Sequence, residues 1–186
     1  MSITKKISSG MRRLLMGKTA RRFAIQQDGA AAIEFGLVAA PFLALVFAIL
    51  ETAMVFFASQ SLEAAVAVSS RLIMTGQAQT GGFTAATFKN SVCTNIVALF
   101  DCANKLSVNV QTFTDFTSAT TNSPYTNGQF DASKVQYSPG VQGSVVIVQL
   151  YYQWPIYVSL LSNNLANQNG NNRLLVATAA FKNEPY

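Results

Sequence analysis

From Ile33 the chain reads IEFGLVAAPFLALVFAILETAMVFFA, with no charge between Phe35 and Leu50 and only Glu51 breaking the run before Ala58. At about 1.5 Å per helical residue this covers roughly 36 Å, enough to cross a hydrocarbon core about 30 Å thick with some tilt. The run therefore reads as a transmembrane helix over about 33–58. A removable export signal has a shorter apolar region, about 7–15 residues, and small residues at its outer end. Here the bulky Phe56 and Phe57 occupy that end. The helical pattern continues through SQSLEAAVAVSSRLIM, with no breaker before Gly76. One helix over 30–76 is expected, with Pro41 removing a backbone donor and kinking it.

Charge gives the span a direction. Of 13 Lys and Arg, seven lie in 1–29 (Lys5, Lys6, Arg12, Arg13, Lys18, Arg21 and Arg22), against one acid there, Asp28. The remainder holds six bases and seven acids. The bias of basic residues toward the inner side places the N-terminus in the cytoplasm and everything beyond about Ala58 outside it. It also confines the positive charge to the leader, so no nucleic-acid partner is expected.

The chain has no histidine. That removes the commonest metal ligand and general base, and with them a Ser/His/Asp triad. No catalytic group, metal or cofactor is expected. Cys93 and Cys102 are the two cysteines. In an exported domain they read as a disulfide closing a short loop, the alternative being two free buried thiols.

Beyond Gly76 the pattern is that of a small α+β domain over 77–186. Phe88, Val92, Ile96, Leu99 and Phe100 recur at helical spacing. Strands are expected at 106–113, 144–154 and 174–181, the first two rich in β-branched and aromatic residues. Ile156, Leu160, Leu161 and Leu165 suggest a short helix starting after Pro155. Segments 114–140 and 162–172 read as loops, the second rich in Asn.

The junction between leader and span is QQDG at 26–29 followed by AAAIEF at 30–35. Basic residues, Gly29, a small apolar start at Ala30, Glu34 in fifth place and a long apolar helix together resemble a type IV prepilin processing site. The resemblance implies cleavage after Gly29 and a new cationic amine at Ala30. Glu34, one turn on, can share its helix face. It supplies an anion near that amine, favoured by the helix dipole, and in pilins such a carboxylate bridges to a neighbouring subunit's new N-terminus.

The likeness extends further. Ala31, Glu34, Phe35, Leu37, Pro41, Glu51, Phe56, Phe57, Leu62, Ala64 and Ala65 fit a helix pattern similar to that of the TadE-like family. The segment FKNEPY, Phe181 to Tyr186, also resembles an ending common there. Gly36, Ala40 and Ala44 depart from the family's usual Ala and Leu-rich run. Glu51, as an ionisable residue near the outer end of the span, is a second candidate membrane carboxylate, or one that reaches out to the interface.

The resemblance implies a minor pilin or pseudopilin of a tight-adherence pilus, acting in assembly and surface attachment. Its partners would be a prepilin peptidase, the pilus assembly platform, the major pilin and other minor pilins. The expected location is the bacterial inner membrane, single-pass, with the C-terminal domain exported or incorporated into the pilus. One rival is an uncleaved single-pass anchor whose domain binds an envelope component. A tethered exported hydrolase is the other, disfavoured by the missing histidine.

Overall fold

The computed structural model describes residues 29–96, 100–120, 123–157 and 165–186. The basic residues before Gly29 and most of the helix expected after Pro155 lie outside them. The described residues fall into two units, divided between Phe47 and Ala48. The fold is α+β: a long N-terminal apolar helix and a small domain with short antiparallel sheets.

Helix α1, Ala30–Met74, is 45 residues long and includes Pro41. In the described part of the first unit, 29–47, no residue is buried. Ile33, Phe35, Leu37, Val38 and Phe42 are all more than half exposed. In the second unit the same helix becomes one-sided. Glu51, Val55, Ala58, Leu62, Ala65, Ser69 and Ile73 are buried at steps of three and four, which puts them on a single stripe. Packing of the domain thus starts inside the helix, well upstream of its end.

After α1 come a single turn α2 (Gln77–Thr80), helix α3 (Ala85–Thr94), a turn α4 (Cys102–Lys105) and strand β1 (Leu106–Phe113). Helix α3 opens on a capping box, in which the Thr84 side chain accepts from Thr87 N–H and Thr87 in turn satisfies the Thr84 N–H. It stops earlier than the periodicity suggests. Asn95 caps it, its side-chain amide donating to Ser91 O at 2.9 Å. Ile96 and Phe100 are buried but not helical, because the chain must double back to bring Cys102 beside Cys93.

Strands β4 (Val145–Pro155) and β5 (Asn172–Lys182) complete an antiparallel sheet of order β1-β4-β5. The central strand is buried on both faces. Val146, Val148, Leu150, Tyr152 and Trp154 join one core with Leu62 and Ile73 of α1. On the opposite face Asn109 Nδ2 donates to Gln149 Oε1 at 3.1 Å, and the Phe130 ring lies 5.3 Å from that of Tyr151.

That second face is covered by the segment expected to be loop. It contains β2 (Tyr125–Thr126) and β3 (Gln129–Phe130), joined at Asn127 and Gly128, both with positive φ. Asn-Gly is the dipeptide that a type I′ hairpin favours. A 3-10 turn at Ala132–Lys134 follows, its entry capped by Asp131. After Pro155, Ile156 and Tyr157 are not helical. The Ile156 N–H instead donates to Asn171 O at 3.0 Å, continuing the sheet edge.

Candidate functional site

Two positions carry the chemistry suggested by the sequence. Both lie on α1. At the first, Gly29 directly precedes the helix and is exposed. Nothing lies within 4 Å of where its Cβ would be, and its φ is not positive. Neither space nor backbone conformation calls for glycine there. Ala30 opens the helix and Glu34 is exposed one turn on. The first turn itself holds no acidic residue, so Glu34 lies just past the region where the helix dipole acts most strongly. Its relation to Ala30 rests on the spacing of one turn.

At the second position, Glu51 is only 9% exposed. Its carboxylate accepts a hydrogen bond from the backbone N–H of Tyr157. A carboxylate withdrawn from water needs such partners, and this one ties α1 to the chain leaving the central strand. The sequence flagged Glu51 but gave no hint of what it touches. Leu50, the residue before it, is the last of the fully unburied run; an 18-residue stretch of α1 has mean hydropathy 2.4 and none of it is buried. One such helix fits a single-pass membrane anchor.

Cys93 and Cys102 are disulfide-bonded, with Cα atoms 5.8 Å apart. The bond joins the end of α3 to the start of α4, immediately before β1. Lys89 Nζ, donating to Ala103 O at 2.8 Å, braces the same loop.

The FKNEPY segment closes the far end of α1. A helix leaves its last carbonyls without intrahelical partners. Thr75 N–H satisfies Arg71, Gly76 N–H satisfies Ile73, and Glu184 N–H reaches Met74 O at 2.9 Å. Asn183 is buried, its side-chain amide donating to Pro139 O and Val141 O at 3.0 and 3.1 Å. The Tyr186 ring occupies the space a Cβ on Gly76 would need, and Gly76 has φ 76°. Glycine is thus required there twice over.

Among the described residues no group of three or more His, Cys, Asp or Glu is placed to hold a metal ion. Residues 29–71 match the family model described as TadE-like protein. That stretch is similar to TadE-like proteins. It begins at Gly29 and includes Glu34, Pro41, Glu51 and the Phe56-Phe57 pair. The family resemblance read from those residues is therefore borne out over this stretch. The TadE-like match ends before the disulfide, the sheet and FKNEPY. Comparison with curated proteins and with solved structures gives no match.

Proposed function

We propose that the chain is a minor pilin or pseudopilin of a tight-adherence pilus, released from its basic leader by cleavage after Gly29 and held in the membrane by α1. In this reading it is the substrate of a prepilin peptidase and has no catalytic activity of its own. The observation that carries it is Gly29. A glycine in open space, with no positive φ, is unexplained by folding, yet the TadE-like match starts on it. Recognition by a peptidase supplies the missing reason, since a side chain at the cut position would obstruct the scissile bond.

The other parts support the same reading. The basic leader favours a cytoplasmic N-terminus, and a disulfide suits an oxidising compartment beyond the membrane. The domain, carrying its disulfide and its polar loops, would then be exported. It would meet the assembly platform through α1, and the major pilin and other minor pilins through the same helix or the domain.

The test is the mass of the N-terminus in cells with an active prepilin peptidase. A mature chain starting at Ala30 is expected, and Gly29→Leu should retain the leader while folding normally. An intact Met1 in the unaltered protein would overturn the reading in favour of an uncleaved anchor that binds an envelope component.

A further inference from the structure

The second unit carries an apolar collar around its own first helical turns. Ile49, Leu50, Met54, Phe56 and Phe57 are all exposed there. An apolar surface of this extent marks a contact with something other than water. Continuity decides what that is. The collar follows directly on the unburied stretch of α1, and after Glu51 the next charge along the helix is Glu63. From Ala30 to Leu50 the helix rises about 30 Å, the thickness of a hydrocarbon core.

A residue remote in sequence reaches this level. Tyr157 is 80% exposed, and its backbone N–H is held by the Glu51 carboxylate. A tyrosine ring with a polar hydroxyl is suited to the boundary between acyl chains and water. We propose that the outer headgroup layer of the bilayer crosses the chain at Glu51, with Tyr157 embedded in it beside Phe56 and Phe57. The folded domain then sits on the lipid surface and is not held clear of it. The inference rests on reading α1 as a membrane span.

The test uses the full chain in vesicles of phosphatidylethanolamine and phosphatidylglycerol, whose acyl chains are brominated either near the glycerol or near the terminal methyl. Trp154→Phe removes the single tryptophan. Tyr157→Trp or, as a control within the span, Phe42→Trp then supplies a probe, and an intact disulfide with unchanged circular dichroism reports folding. The expected result is stronger quenching of the probe at 157 by shallow bromines and of the probe at 42 by deep ones. If the control behaves so while the probe at 157 is unquenched, or is quenched best by deep bromines, the inference falls alone. An unquenched probe would mean that water or a protein covers the collar. A control that neither bromine position quenches overturns the span and the inference together.

Discussion

The carboxylate of Glu51, midway along α1, accepts the backbone N–H of Tyr157, 106 residues further along the chain. Deleting the acceptor removes a hydrogen bond to a charged group. Glu51→Ala should therefore cost about 1–3 kcal/mol, and Glu51→Gln, which keeps an oxygen in place, less. Urea unfolding in detergent measures both, and faster hydrogen exchange at the Tyr157 amide in Glu51→Ala would localise the loss. Equal stability of all three proteins would show that this bond contributes nothing.

Glu34 is expected to behave differently, because it is exposed. Glu34→Ala should leave folding and cleavage intact but impair pilus assembly. A charge-assisted bond contributes about 1.5–3 kcal/mol, and in a filament it would be lost at every such interface. Counting pili by electron microscopy and blotting the sheared fraction reads the effect. Normal piliation would refute pairing with a neighbour's new amine.

At the other end of the helix, Gly76→Ala meets two obstacles, a left-handed φ and the Tyr186 ring. A loss of about 1–3 kcal/mol is expected from the backbone alone, with the overlap added to it. In a Tyr186→Ala background the overlap disappears, so the same substitution should cost less. Thermal melts of the four proteins in this double-mutant cycle give the coupling.

The disulfide closes a loop with a sequence separation of 9. By the chain-entropy relation, removing it with paired Cys93→Ser and Cys102→Ser changes should cost about 2–3 kcal/mol. The cost would fall on the link between α3 and β1. Comparing denaturant midpoints with and without a reductant checks it in the unaltered protein.

Alkaline pH should weaken the domain. Burial pushes the phenols of Tyr137, Tyr151 and Tyr152 above their ordinary value of 10.0. The folded protein then keeps protons that the unfolded chain has released. The stability so linked is present below the unfolded value and is lost as pH rises through the raised ones. Denaturant midpoints should be steady near neutrality and fall toward about pH 11, while tyrosinate absorbance lags that of the unfolded chain.

Much of this fold is written in local pattern. The run from Ile33 is apolar on all sides and long, so its helix could be read without knowing its neighbours. Val145–Pro155 and Leu106–Phe113 likewise announce themselves by β-branched and aromatic content. What escaped depends on distant partners. Ile96 and Phe100 carry helical spacing, but the pairing of Cys93 with Cys102 turns the chain before the period can continue. The cover over Gln149 and Tyr151 was hidden in a polar stretch with one visible sign, Asn127-Gly128. The candidate junction was legible because it is a linear motif. The partner of Glu51 was not, since a backbone N–H leaves no mark in the choice of side chain at Tyr157.

Ribosomes deliver α1 early and β4 and β5 late, yet Leu62 and Ile73 share their core with Val148, Leu150 and Leu175. The helical stripe is therefore made long before its cover exists, and Met74 waits for Glu184 to close it. During synthesis the nascent chain exposes half a core on its helix. A chaperone acting on this protein would have that interval in which to act, and a truncation upstream of β4 would take Val148, Leu150 and Leu175 from the stripe's cover.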